Sequence, residues 1–259
     1  MSTSSQLEQR FTYSRWLPYC RWQAEPKLRL LCFAHAGGSA TQFRGWERRL
    51  PNTVEVCAVQ LPGRETRLHE KFIKRIPPLI DELVNVLSPL IDRPVAILGH
   101  SLGARIGFEF ARKICERTDV GKIVQVFVSG APAPHIASTE PPSFNLPEDE
   151  FIQVLKDFGG TPPEVLQNPE MLQFVLPRLR ADLELNETYV FAGGQALDAS
   201  ISAFGGEADQ EATPAAVRAW GEHTTAKFRC RIFAGSHFFL YEKIDQIIPL
   251  ITQDLIGHL

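Results

Sequence analysis

The sequence predicts an α/β fold in which a mainly parallel central sheet is flanked by helices. Short, almost continuously apolar runs alternate along the chain with longer amphipathic ones. Runs that are apolar at nearly every position suit parallel strands that are buried on both faces. Their regular alternation with helical segments is typical of βαβ units.

The apolar runs define six predicted strands, and the amphipathic runs define five predicted helices. The strands are residues 28–34, 54–59, 95–99, 123–129, 200–204 and 228–234. The helices are residues 41–50, 76–90, 102–117, 214–222 and 242–255. In the third helix Ile106, Phe110 and Ile114 recur every four residues, so one apolar face is expected to lie on the sheet.

Residues 131–198 interrupt this alternation because no strand is predicted there. The segment opens with five prolines between positions 132 and 147 and continues with two helical patterns, at residues 151–158 and 172–183. We expect one domain over residues 1–259, with this segment inserted as a helical lid over the active site. An ordinary packed subdomain without a gating role is the alternative.

Composition limits the possible partners and location of the protein. A formal net charge of -3 provides no general attraction to nucleic acid or to anionic membranes. Five scattered cysteines without metal-ligand spacing fit a reducing cytoplasm. Residues 1–10 are polar, so no signal peptide is expected, and no apolar stretch reaches the ~18 residues of a membrane span.

The pentapeptide Gly99-His100-Ser101-Leu102-Gly103 directly follows a predicted strand and opens a predicted helix. This context is typical of the nucleophile elbow of the α/β-hydrolase fold, in which small residues flank a serine on a tight turn. The adjacent helix N-terminus favours negative charge on a substrate oxygen. We therefore predict Ser101 as the nucleophile, against the alternative of a glycine-rich turn with an incidental serine.

A serine nucleophile needs a base, which in this fold follows the last strand. Of the seven histidines, His237 meets this condition, because it lies between the strand at 228–234 and the C-terminal helix. His100 is expected to pack or hydrogen-bond locally, and His258 to lie at the surface. The other histidines of the chain are His35, His69, His135 and His223.

The acid that orients the histidine is expected in a loop after a strand. Asp209 meets this condition after the strand at 200–204 and is the predicted acid. Glu207 is a competitor that only geometry can exclude. Asp198 precedes the strand and therefore belongs at the wrong edge of the sheet.

Two backbone amides are predicted to form the oxyanion hole, those of Leu102 and Ala36. Ala36 lies in the glycine-containing loop after the first strand, where His35 is expected to orient the loop rather than to react. A plain flexible turn is the alternative for this loop. The sequence has no phosphate-binding loop, dinucleotide signature or zinc cluster, so no cofactor or metal site is predicted.

Five blocks of sequence, in order along the chain, resemble one known family. They are residues 30–39; Gln60-Leu61-Pro62-Gly63-Arg64-Glu65; residues 99–104; Phe204-Gly205-Gly206 through Asp209, with Trp220, His223 and Thr224; and Gly235-Ser236-His237-Phe238-Phe239. Together they resemble the type II (editing) thioesterases of nonribosomal peptide and polyketide synthesis. Ala34, Leu102 and Ser236 are mild departures from the family pattern.

The resemblance implies a cofactor-free, monomeric hydrolase that removes misprimed or stalled acyl groups from carrier proteins. The phosphopantetheine arm that bears the acyl group belongs to the carrier. Arg64 and Arg67 are expected to be exposed and to form local ion pairs, with contact to acidic carrier residues as the alternative. Two other functions stay open: a medium-chain fatty-acyl thioesterase or general carboxylesterase, and a non-catalytic binding module on a hydrolase fold.

Overall fold

Six parallel strands of the described part of the chain form one sheet in the order β2-β1-β3-β4-β5-β6. The structure is a computed structural model that describes residues 13–259, so the expectation for residues 1–10 lies outside the described residues. The strands are β1 Leu28–Phe33, β2 Val54–Ala58, β3 Val95–His100, β4 Ile123–Ser129, β5 Ser200–Gly206 and β6 Phe228–Phe233. The predicted α/β class with a parallel central sheet is confirmed.

Burial of the strands follows their place in the sheet. Strands β1 to β5 are buried at nearly every residue, because helices cover both faces. The prediction of two-sided burial is wrong for β6, where every residue is partly exposed at the edge of the sheet. Its Arg229 and Arg231 ion-pair with Asp254 of the C-terminal helix, which explains two charges in an otherwise apolar strand.

The helices that flank the sheet are Ile76–Leu87, Leu102–Cys115, Pro214–Arg218, Phe239–Glu242 and Ile244–Leu255. Short 3-10 turns extend two of them, at Ser88–Leu90 and Ala219–His223. The helix predicted at 41–50 is wrong, because this segment forms two separate 3-10 turns, Ala40–Phe43 and Trp46–Arg48. Gly45 lies between them in the left-handed region, with φ 89°, and interrupts the helical path.

The helix Leu102–Cys115, called the elbow helix, packs on β1, β3 and β4. The face predicted to lie on the sheet is buried, with at most 1 % exposure at Ile106, Phe110 and Ile114. Two glycines permit this close packing. A Cβ at Gly107 would lie 2.7 Å from Ile97 Cγ2, and one at Gly103 would lie 2.1 Å from the Phe33 carbonyl oxygen.

Three helices fill the segment between β4 and β5, namely Glu148–Phe158, Pro163–Leu166 and Pro169–Glu187, of which the short middle one was not predicted. We call the last of them the lid helix. Their apolar side chains form a separate cluster of Phe151, Leu155, Leu166, Leu176, Leu179 and Leu183. Ala36 of the loop after β1 packs against this cluster, so the segment lies beside the predicted active site. The boundaries of the insertion and its gating role stay predictions.

The fold brings together two cysteines that the sequence keeps apart. Cys20 Sγ lies 3.3 Å from Cys57 Sγ, and Glu55 completes a group of three possible metal ligands. Both Glu55 oxygens are already occupied, by the Gln23 amide at 2.7 Å and by Arg29 Nε at 2.6 Å. A hydrogen bond to Cys20 and burial raise the pKa of the Cys57 thiol, which favours a protonated Cys57 packed against Cys20.

Within residues 13–259, every helix is too short or too polar to cross a lipid bilayer.

The contact of Gly103 with β1 is testable by a single substitution. Gly103→Ala is expected to lower the free energy of unfolding by roughly 1–3 kcal/mol, because the new methyl group collides with backbone that cannot rotate away. Chemical denaturation of the purified variant measures the loss. Gly257→Ala is the control, since no atom lies within 4 Å of its Cβ position. Equal stability of both variants would contradict the close packing.

Candidate active site

Three predicted residues, Ser101, Asp209 and His237, follow β3, β5 and β6 respectively. Since these strands are parallel, their carboxyl ends meet at one edge of the sheet. The three side chains therefore converge on one region although they are up to 136 residues apart (from 101 to 237) in the sequence.

The backbone of Ser101 has φ 55° and ψ -120°, a strained conformation for a residue with a side chain. Its amide donates to the Ser129 carbonyl at 2.7 Å, which ties the turn to β4. A Cβ at Gly99 would lie 2.1 Å from the Gly103 carbonyl oxygen, so the two glycines of the pentapeptide touch each other across the turn. This geometry is that of a nucleophile elbow.

Asp209 and His237 form the hydrogen bond expected of an acid and its histidine. His237 Nδ1 lies 3.0 Å from Asp209 Oδ2, and the Asp209 side chain is completely buried. The other carboxylate oxygen accepts the amides of Glu211 and Ala212 at 3.0 and 3.1 Å. With Nδ1–H donated to a fixed carboxylate, Nε2 of His237 is the free basic nitrogen.

The structure separates Asp209 from its competitors. Glu207 is exposed, and Asp198 lies before β5, at the opposite end of the strand. Ser101 is not hydrogen-bonded to His237 within residues 13–259, so the structure joins the acid and the base but not the base and the serine. Such contacts often tighten only when substrate binds.

His100 lies beneath His237 and is fully buried. Its Nδ1 is 3.0 Å from Ser129 Oγ, and its ring centroid is 5.2 Å from that of His237. Its Nε2 is buried and has no hydrogen-bond partner among the described residues. Burial, with His237 nearby, holds the pKa of His100 well below its usual range. The ring is therefore neutral packing material, as the sequence predicts.

The oxyanion loop, residues 35–39, continues from β1 beside the elbow helix. A Cβ at Gly103 would lie 2.6 Å from the Ala34 carbonyl oxygen, which places the loop next to the amide of Leu102. As the first residue of the helix, Leu102 has no intrahelical acceptor for its N–H. The two predicted donors, Ala36 and Leu102, thus belong to adjacent segments.

A chain of hydrogen bonds orients His35 in this loop. Tyr241 donates its hydroxyl to Gln42 Oε1 at 2.9 Å, and Gln42 Nε2 lies 2.5 Å from His35 Nε2. His35 Nδ1 lies 2.8 Å from the Ala36 carbonyl oxygen. If Gln42 donates to Nε2, then Nδ1–H donates to Ala36, and both contacts are satisfied by the neutral ring. The expected orienting role of His35 fits this arrangement.

The remaining histidines lie elsewhere. His135 Nδ1 and His223 Nε2 are 2.7 Å apart in a pair that the sequence analysis missed, and His223 packs on Trp220. His69 is exposed and His258 lies in the last 3-10 turn.

Arg64 and Arg67 form ion pairs within the chain, as expected, but both are buried, at 3 % exposure, so their expected exposure and the alternative of carrier contact are wrong. Arg64 is bidentate to Asp182 of the lid helix. Arg67 pairs with Glu70 and lies 3.9 Å above the Trp16 ring. The exposure of these side chains cannot be deduced from the Pro-Gly-Arg-Glu block alone.

Comparison with known proteins points to one family. A family model described as thioesterase domain matches residues 28–255. Gramicidin S biosynthesis protein GrsT of Aneurinibacillus migulanus is 38 % identical over 242 residues, which cover 93 % of this chain and 94 % of that protein. The medium-chain S-acyl fatty acid synthase thioesterase of Rattus norvegicus is 36 % identical over 217 residues, or 82 % and 81 % of the two chains.

Solved structures agree with the sequence matches. The structure of the type II thioesterase BorB from the borrelidin biosynthetic cluster superposes with a TM-score of 0.82 at 35 % identity. The alignment covers 93 % of this chain and 97 % of that one.

The role of Asp209 is testable by Asp209→Asn. The asparagine side chain keeps the shape of the aspartate, but its amide group holds His237 in the wrong tautomer. We therefore expect kcat to fall roughly 10⁴-fold at neutral pH. Steady-state hydrolysis of a small acyl thioester measures the loss. Glu207→Gln is the matched control and is expected to retain wild-type kcat. The reverse ranking of the two variants would make Glu207 the acid.

The pH dependence of stability tests the neutral state of His35. Burial lowers the pKa of His35 to about 4, from 6.5 when exposed. As the pH drops, the unfolded chain therefore binds a proton at His35 before the folded chain does. The free energy of unfolding should consequently fall between pH 6.5 and pH 4. In His35→Gln this decline should be shallower, as measured by urea unfolding at several pH values. His69→Gln, at an exposed histidine, is the control and should show the same pH dependence of stability as the wild type. If His35→Gln also showed the wild-type pH dependence, the neutral state of buried His35 would be contradicted.

Proposed function

The chain belongs to the thioesterase domain family, and we propose that it hydrolyses acyl groups thioester-linked to the phosphopantetheine arm of carrier proteins. The observation that carries the chemistry is the hydrogen bond between Asp209 and His237 at the edge of the sheet that also bears the Ser101 elbow. The proposed setting is nonribosomal peptide or polyketide synthesis. Support for it comes from the relatives, which carry the names of gramicidin S biosynthesis and of the borrelidin cluster.

In the first half of the proposed reaction, His237 Nε2 takes the proton of Ser101 as the hydroxyl attacks the thioester carbonyl. The imidazolium that forms is stabilised by Asp209, which is buried and held by two backbone amides. The amides of Ala36 and Leu102 stabilise the oxyanion. The thiol of the carrier arm then leaves with the proton from His237, and Ser101 carries the acyl group.

In the second half, His237 activates a water molecule that attacks the acyl-serine. The same two amides receive the second oxyanion, and the collapse of the intermediate releases the acid and regenerates Ser101. The net change is the hydrolysis of one thioester to an acid and a free thiol. A carrier whose arm was blocked by a misprimed or stalled acyl group thus regains its thiol, which is the editing role.

The remaining features of the proposal concern partners and location. The prosthetic arm arrives with the carrier, so the protein itself needs no cofactor for these steps, and it is proposed to act as a monomer. A cytoplasmic location is supported by the cysteines, all of which are free thiols although Cys20 and Cys57 lie within contact distance.

A fatty-acyl thioesterase is the second candidate function. The observation that favours it is the similarity to the medium-chain enzyme of Rattus norvegicus, whose identity of 36 % is close to the 38 % of the gramicidin S relative. The proposed site of Ser101, Asp209 and His237 suits both substrates equally, because the bond to be cleaved is a thioester in both. The non-catalytic binding module is disfavoured, because the strained elbow and the buried Asp209–His237 pair are both intact.

The proposal is tested with one acyl group presented in three forms, on a carrier protein, on coenzyme A and as a p-nitrophenyl ester. The editing function predicts a kcat/KM at least tenfold higher for the carrier-bound thioester, because the carrier adds binding energy that the small forms lack. Ser101→Ala should abolish turnover of all three while the protein stays folded by circular dichroism. Equal rates on all three would favour a general esterase, and retained turnover by Ser101→Ala would contradict the nucleophile.

A further inference from the structure

The backbone of the oxyanion loop forms a tight turn around Ala36. The Gly38 amide donates to the His35 carbonyl at 2.9 Å, and Gly37 has φ 76°, the positive value required at the third position of a type II turn. This hydrogen bond holds the peptide group between His35 and Ala36. That peptide group carries the N–H assigned to the oxyanion hole.

The next peptide group, between Ala36 and Gly37, is held from outside the loop. Its N–H, on Gly37, donates to Asp182 Oδ2 at 2.6 Å. Its carbonyl oxygen lies 2.8 Å from His35 Nδ1. Both peptide groups that flank the Ala36 Cα are therefore fixed, and one of the groups that fix them, Asp182, belongs to the lid helix.

Arg64 holds Asp182 in this position. Its Nη1 donates to Asp182 Oδ2 at 2.9 Å and its Nη2 to Asp182 Oδ1 at 2.7 Å, a bidentate pair. Nη1 also donates to the Gly38 carbonyl oxygen at 2.9 Å. We call Arg64 and Asp182 the clamp, since together they bond to the backbone on both sides of the turn.

We propose that Asp182, held by Arg64, is a positioning residue that orients the Ala36 amide toward the oxyanion and makes this orientation depend on the seating of the lid helix. The inference rests on the proposed function, because it assigns the clamp to the same oxyanion hole. A displacement of the lid helix withdraws the Asp182 carboxylate from Gly37, and the Ala36–Gly37 peptide then keeps only the contact of its carbonyl oxygen with His35 Nδ1.

The location of the clamp favours positioning over simple anchoring of the helix. Both side chains are almost completely buried, at 4 % and 2 % exposure, and burying an ion pair gains little net stability. The lid helix already has a partly exposed anchor, in which Glu184 pairs with Lys74 and Arg75. The lid helix is therefore anchored to the domain without the clamp. What the clamp adds is the hydrogen bond from the Gly37 amide to Asp182.

Asp182→Asn is the first test. The asparagine offers one acceptor oxygen to Gly37 and Arg64, which together present three donors, so its amide must face a donor and the turn must shift. We expect kcat on a small acyl thioester to fall about 10- to 100-fold, less than the loss of a whole oxyanion donor, with KM changed by less than about threefold. Glu170→Gln is the control, because Glu170 is exposed in the first turn of the same helix and far along it from Asp182, and it should retain wild-type kcat.

A trifluoromethyl ketone provides a readout that a merely structural role would not move. It forms a tetrahedral oxyanion adduct with the serine, so its inhibition constant reports oxyanion binding directly. For Asp182→Asn the inhibition constant should rise in proportion to the fall in kcat/KM. An unchanged inhibition constant beside a reduced kcat would overturn the positioning role.

The double variant Arg64→Met/Asp182→Leu separates positioning from stability. Replacing the buried pair by apolar side chains should keep or raise the melting temperature relative to Asp182→Asn, but it leaves Gly37 without its acceptor. We expect the low kcat to persist, and a return to wild-type kcat would overturn the inference. A wild-type protein that fails to hydrolyse the small thioester contradicts the proposed function, whereas wild-type kcat in Asp182→Asn contradicts only the clamp.

Discussion

The close approach of Gly103 to the end of β1 is the constraint on which the active site depends. Because Gly103 has no side chain, the elbow helix can pass directly over the carbonyl groups of Phe33 and Ala34. Ser101 can therefore occupy its strained turn at the helix N-terminus, where surrounding contacts offset the strain. The same approach places the loop that continues from β1 beside that N-terminus, so nucleophile and oxyanion loop become neighbours through one backbone contact.

Burial determines which side chains near the site are charged at neutral pH. Burial lowers the pKa of His35 to about 4 and holds that of His100 well below its usual range, so both rings stay neutral at pH 7. The clamp carries one charge of each sign and is neutral as a pair. In the proposed reaction, the proton that His237 takes up is stabilised by its direct carboxylate partner, Asp209, with no second imidazolium nearby.

The sequence was sufficient for the strands, for the turn at Ser101 and for the pairing of Asp209 with His237, because each depends on local pattern or on order along the chain. It predicted a helix at 41–50 that Gly45 interrupts, since a left-handed glycine is not visible in hydrophobic periodicity. It also placed Arg64 at the surface. The partner of this arginine, Asp182, lies 118 residues away, and no local pattern links an arginine after a turn to an acid within a distant helix.

The lid helix has two halves with different surroundings, and this division limits what it can do. Before Pro177 only Leu176 is buried, while Met171 and Phe174 are 48 % and 72 % exposed. After Pro177 more residues are buried, and two of them, Leu179 and Asp182, contact the oxyanion loop. Proline removes one backbone hydrogen bond at the junction, which weakens the mechanical connection between the halves. The contact with the Gly37 amide lies in the C-terminal half, so under the proposed clamp this half must stay seated for the oxyanion hole to keep its shape.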